Sequence, residues 1–137
     1  MKPKGIAHLG IAVHNIDAAL SFWRDALGLE HESTKELPER GLRVAFLRAG
    51  ETLVELLEPL HERSEISTFL DKRGEGIHHV CFEVDDIRAK IADVQSKGVR
   101  MVSPEPSIGA EGLPVAFMHP RSCNGVLAEL LESAPAP

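Results

Sequence analysis

Ala7-His8-Leu9-Gly10-Ile11-Ala12-Val13 returns in altered form as His78-His79-Val80-Cys81-Phe82-Glu83-Val84, setting His8 against His79 at a spacing of 71 residues. The same spacing carries Gly41-Leu42 onto Gly112-Leu113 and Val44-Ala45-Phe46 onto Val115-Ala116-Phe117. Further on, Leu53-Val54-Glu55-Leu56-Leu57-Glu58 matches Leu127-Ala128-Glu129-Leu130-Leu131-Glu132 at a spacing of 74, the extra three residues falling in the loop His119 to Gly125. Self-similarity at a fixed period means that one supersecondary unit is used twice.

Each copy reads strand, helix, then three strands. After the first strand, Asp17 is placed to cap a helix with Leu20, Trp23 and Leu27 at helical spacing and Gly28 as its stop. In the second copy Asp86 precedes Ile87, Ile91 and Val94, with Gly98 as the stop. Turn-rich stretches, Leu37 to Gly41 and Ser103 to Gly112, separate the later strands. Between the copies, Ser64 to Lys72 predicts a short amphipathic helix with Ile66, Phe69 and Leu70 turned inward. The expectation is a single α+β domain over residues 1–137, with module one at about 5–60, a connector at about 61–75 and module two at about 76–132. The Ala-Pro tail at 134–137 reads as frayed.

Strand alternation assigns faces, because successive side chains point to opposite sides. Ala7, Leu9, Ile11 and Val13 form an apolar face suited to a helix, with His8 on the other. In the matching strand His78, Val80, Phe82 and Val84 take the helix side, so His79 is the equivalent of His8. Glu55 sits between Leu53 and Leu57 on one face, and Glu129 between Leu127 and Leu131. An ionised carboxylate in an apolar stripe is costly unless it is paired or coordinates a metal. A lone strand histidine or glutamate has ordinary structural explanations, but two of each at equivalent positions of a repeat point to a metal site of His8, Glu55, His79 and Glu129. Two imidazoles and two carboxylates suit a borderline divalent ion and leave two octahedral positions for substrate. Among the other histidines, His78 reads as packed, His14 as surface, and His119 as loop structure or cleft lining. Core packing is the expected role of Cys81, Phe22, Trp23 and Phe117.

A net charge of -6, from 15 basic and 21 acidic residues, argues against a nucleic-acid partner. Two cysteines suit a reducing compartment, and the amino-terminal run, broken by His8, has neither signal-peptide nor membrane-span character. Cytoplasm is the expected location, or an organelle after removal of a presequence. Arg43, Lys72, Arg73 and Arg121 read as solvated charges.

The segments His8 to Val13, Leu53 to Leu60, Gly76 to Asp85, Ile108-Gly109, Val115 to Pro120 and Gly125 to Leu130 resemble the vicinal oxygen chelate superfamily and, within it, the methylmalonyl-CoA epimerase family. The resemblance runs from about residue 5 to residue 132. It implies two paired βαβββ modules whose eight strands curl around one divalent metal, Co2+ first and Mn2+, Ni2+, Zn2+ or Fe2+ as alternatives, in a homodimer. It further implies an acyl-CoA substrate and interconversion of (R)- and (S)-methylmalonyl-CoA by proton removal and return at the α-carbon, with Glu129 both ligand and catalytic base. Val44 stands where some members carry a second catalytic glutamate, so the opposite proton donor is open among Glu55, a metal-bound water and a neighbouring group. Lactoylglutathione lyases resemble the chain in fold and ligand set, but the matches in the His78-His79 strand and in Ile108 to Pro120 lie beyond the ligands and favour the epimerases. A non-catalytic small-molecule binder on this fold would have no need of four ligands.

Overall fold

The computed structural model describes residues 2–134, and positions 135–137 of the Ala-Pro tail lie outside them. The chain divides into two compact units, one of His8–His78 and the other of the residues up to Ala7 together with His79 onward. Both carry the expected order of elements in a mixed α+β fold.

In the first module β1 (Gly5–Ala12) leads into α1 (Ile16–Leu20), which continues as a π turn over Ser21–Ala26. β2 (Glu30–Leu37), β3 (Leu42–Ala49) and β4 (Thr52–Pro59) follow in antiparallel succession, and β4 returns beside β1 in parallel. β3 and β4 read as near-continuous apolar runs because both faces are covered in their middle, and Val44 to Leu47 and Leu53 to Leu57 are buried without a break. Beneath the helix Ile11, Val13, Ile16, Leu20, Ala45, Leu47, Val54 and Leu56 form one core, with Trp23 and Leu29 packed against it. A fully buried leucine such as Leu56 contributes roughly 1.5–3 kcal/mol by leaving water.

The connector is α2 (Glu65–Arg73), capped by Ser64, whose hydroxyl accepts from the Ser67 N–H at 3.1 Å. Ile66 and Leu70 are buried and Phe69 half-buried, as the spacing predicts. The second module runs β5 (Gly76–Val84), α3 (Ile87–Ser96), β6 (Ser107–Ile108), β7 (Pro114–Met118) and β8 (Ala128–Glu132). β8 lies parallel to β5, and β7 antiparallel to β8. Val84, Ile87, Ile91, Met101, Ala116 and Leu130 make its helix-side core. β6 is only two residues long where β2 has eight. Pro104 and Pro106 supply no N–H to a ladder, which confines pairing to Ser107 and Ile108.

Three readings of the sequence are corrected. The cap of α1 is Asn15, whose side chain accepts from the Ala18 N–H at 2.8 Å, and Asp17 lies inside the first turn. Leu27 is 52% exposed: the π turn, in which the Leu27 N–H reaches back to the Phe22 carbonyl, widens the helix and shifts its phase, and Leu29, just beyond it, packs against the core. Ala7 leaves the helix-side stripe and packs with Cys81, Val115 and Leu131, because Lys4 donates its backbone N–H to the Glu83 carbonyl at 2.7 Å and ties the chain start to the second module. Asp86 does cap α3, accepting from the Ala89 N–H at 3.0 Å. Each helix also receives a carboxylate from the end of its module: the Ile16 N–H donates to Glu58 at 2.7 Å and the Ile87 N–H to Glu132 at 2.9 Å. An anionic acceptor at a helix N-terminus satisfies an orphan donor and meets the positive end of the dipole.

Candidate metal centre

Each module builds the same buried pair. In the first, His8 Nδ1 lies 3.1 Å from Glu55 Oε2, with residue exposures of 3% and 2%. In the second, His79 Nε2 lies 3.2 Å from Glu129 Oε1, with exposures of 6% and 3%. Strand register explains both. Glu55 is opposite Gly10 on β1 and Phe46 on β3, while Glu129 is opposite Cys81 on β5 and Phe117 on β7. Directly paired residues share a face, so the histidine two positions before Gly10 or Cys81 is the diagonal neighbour of the carboxylate. A hydrogen at Gly10 and a small thiol at Cys81 leave room for the imidazole to lean across. In module two the Phe117 ring meets the His79 imidazole edge to face, centroids 5.7 Å apart.

Among the described residues the buried polar or charged side chains are His8, Glu55, Ser64, His79 and Glu129, and no lysine or arginine is buried. The two carboxylates sit deep in the protein, each beside a buried imidazole, a grouping of donors that suits a divalent cation. Nitrogen and oxygen donors in this proportion suit a first-row divalent ion. Two ligand atoms about 2.1 Å from such an ion and at right angles stand about 3 Å apart, the spacing of both His–Glu pairs. The donor set fits a metal.

The weaker candidates settle into structural roles. His78 is half-buried with its ring against Phe69, centroids 5.1 Å apart, and His14 is exposed. His119 Nδ1 accepts from the Arg121 N–H at 3.1 Å and shapes the loop before β8. Cys81 is fully buried beside Val115 and Leu131, as core filler should be. Phe22 departs from its core reading: it is 54% exposed, on the same π turn that turns Leu27 outward. Phe117 is half-buried against His79, a contact that only the β7–β8 register discloses. Arg43 binds Glu36 at 2.9 Å and Glu58 at 3.3 Å; the hydrogen bond to Glu36, then the Glu58 charge, hold its guanidinium above the usual range.

Residues 7–117 match the family model described as the glyoxalase/bleomycin resistance protein/dioxygenase superfamily. The chain belongs to this superfamily. Within it, relatives more than 40% identical include epimerases. The mitochondrial methylmalonyl-CoA epimerase of Mus musculus is 47% identical over 124 residues, 90% of this chain and 70% of that protein. The ethylmalonyl-CoA/methylmalonyl-CoA epimerase of Cereibacter sphaeroides is 44% identical over 125 residues, 90% of this chain and 93% of its own. A solved methylmalonyl-CoA epimerase in complex with methylmalonyl-CoA and NH4+ is 40% identical and superimposes with a TM-score of 0.91 over 97% of this chain and 96% of that one. This superfamily member thus shares the fold of a solved epimerase over 97% of its length.

Proposed function

We propose that the protein is a metal-dependent epimerase that interconverts (R)- and (S)-methylmalonyl-CoA, working as one catalytic domain. The observation that carries the reading is the duplicated buried His–Glu pair in a chain 40–47% identical to methylmalonyl-CoA epimerases. His8, Glu55, His79 and Glu129 would together hold one divalent ion, Co2+ in the first instance, and the active form is a homodimer. When bound, the ion supplies Lewis-acid stabilisation of negative charge on the substrate's carbonyl oxygens.

The chain's own residues supply the proton chemistry. The α-carbon of methylmalonyl-CoA lies between a thioester and a carboxylate, and loss of its proton leaves an enolate. Glu129 takes that proton at a carboxylate oxygen and can return it. Its neighbour His79 is fixed from the other side by Phe117, which keeps the imidazole in one orientation. Gly10 and Cys81 keep the carboxylate faces clear of bulk. Val44, fully buried and apolar, carries no proton, so module one provides no acid at that position.

The test is proton NMR of the cobalt-loaded protein with methylmalonyl-CoA in deuterated water. Deuterium should replace the α-hydrogen in a metal-dependent manner, and Glu129→Gln should abolish the exchange. A protein that leaves methylmalonyl-CoA untouched but turns over the methylglyoxal–glutathione adduct would instead be a lactoylglutathione lyase.

A further inference from the structure

The two modules hold the same carboxylate in different company. In module one a row of side chains crosses the sheet: Glu36 on β2 is opposite Arg43 on β3, and Arg43 is opposite Glu58 on β4. The Arg43 guanidinium lies between the two acids, 2.9 Å from Glu36 and 3.3 Å from Glu58, while Glu58 also accepts from the Ile16 N–H at the start of α1. Module two repeats the row with other side chains. Ile108 on β6 is opposite Pro114 on β7, and Pro114 adjoins the Val115–Leu131 pair on one strand as Glu132 does on the other. Glu132 keeps the part of Glu58 by accepting from the Ile87 N–H at the start of α3. The guanidinium has no counterpart, because a proline stands at the position equivalent to Arg43.

At this place module two has a cavity of about 370 Å³. Ile108, Pro114, Glu132, Ile87 and Asp86 line it, and they are the counterparts of Glu36, Arg43, Glu58, Ile16 and Asn15. Ile108, 62% exposed, and Pro114 give it an apolar wall. Asp86, which caps α3 where the neutral Asn15 caps α1, adds a negative charge beside Glu132. Arg88 also borders the cavity, but its guanidinium is held by Glu105 at 2.8 Å. With Arg88 answered by Glu105, the charges of Asp86 and Glu132 leave the cavity net negative.

A ligand that fits here needs a cationic head for the carboxylate and an aliphatic stem for Ile108 and Pro114. A planar guanidinium meets a carboxylate through two parallel N–H donors, whereas an ammonium offers a compact point charge. We propose that this cavity binds an alkylguanidinium group, its head on Glu132 and its stem on Ile108 and Pro114, in the manner of Arg43 within module one. Glu132 stands three positions after Glu129 on β8 and therefore faces the helix side of the sheet, away from the proposed base. The site is independent of the epimerase reading.

The experiment is a 1H–15N NMR titration of the full chain with two probes, agmatine as a free alkylguanidinium and N-acetyl-arginine methylamide as a peptide arginine. N-acetyl-citrulline methylamide, of the same shape without the charge, is the control. The amide signals of Ile87, Ile108 and Glu132 should move saturably at millimolar concentrations of a guanidinium probe and stay in place with the citrulline control. The tighter-binding probe distinguishes a free ligand from a peptide side chain. Glu132→Gln should weaken binding by about tenfold or more, the worth of one hydrogen bond to a charged group. Pro114→Arg supplies the missing guanidinium from within and should abolish binding, with the dispersion of its spectrum reporting an intact fold. Signals that move with neither guanidinium probe, an equal response to the citrulline control, or undiminished binding in Glu132→Gln overturn the proposal. Should Glu132→Gln fail to fold, Pro114→Arg decides in its place, since undiminished binding there overturns the proposal as well.

Discussion

Glu55→Gln separates metal binding from catalysis, because Glu55 is the most buried of the four proposed ligands and is not the proposed base. For 137 residues, an unfolding entropy of about 2.1 cal/mol/K per residue makes each kcal/mol worth about 3.5 °C in Tm. A metal present at 100 times its Kd stabilises the folded chain by about 2.7 kcal/mol, so the wild type should melt about 9 °C higher with Co2+ than without. A neutral amide replaces one of two carboxylate charges, and a loss of about 100-fold in affinity, which even outer-shell changes can reach, leaves about 0.4 kcal/mol at the same metal concentration. The variant should therefore gain only about 1–2 °C from Co2+. Without metal its Tm should match or exceed that of the wild type, since the substitution removes a buried charge beside His8. Differential scanning calorimetry with and without chelator measures both arms. A wild type that does not respond to Co2+, Mn2+, Ni2+, Zn2+ or Fe2+, or a variant that keeps the full shift, would refute the reasoning.

Glu132→Ala removes the carboxylate that accepts from the Ile87 N–H and should cost about 1.5–3 kcal/mol, seen as a fall in Tm, while Glu132→Gln recovers part of the loss. Gly41 has φ +68 and an added Cβ would lie 2.7 Å from His61 Nε2, so Gly41→Ala should destabilise by about 1–2 kcal/mol in urea melts, chiefly through the left-handed backbone. Burial pushes the Cys123 thiol up from its ordinary value and Cys81 is fully buried, so an aromatic disulfide reagent at pH 7 should label Cys123 slowly and Cys81 only after unfolding, as mass spectrometry of the labelled peptides would report.

The two-module order was legible because a repeated unit leaves matched strand, helix and turn patterns in the chain. The placement of His79 rather than His78 was legible too, since strand parity depends only on the alternation of neighbours. Other features depended on pairing across the sheet. That Glu55 is beside Gly10 and Phe46, and Glu129 beside Cys81 and Phe117, follows from register, and register is set by how separate strands dock. The use of Glu58 and Glu132 to cap helices more than forty residues away in the chain has the same origin. The π turn that exposes Phe22 and Leu27 escaped a 3.6-residue period for a local reason: one widened turn shifts every later side chain by a residue, and the apolar pattern alone does not encode it. The sequence by itself singled out His8, Glu55, His79 and Glu129 as the candidate ligands and determined on which face of their strand they stand. Only the tertiary structure decided which neighbours those side chains meet, because contacts between strands are made by packing and hydrogen bonding between segments distant in the chain.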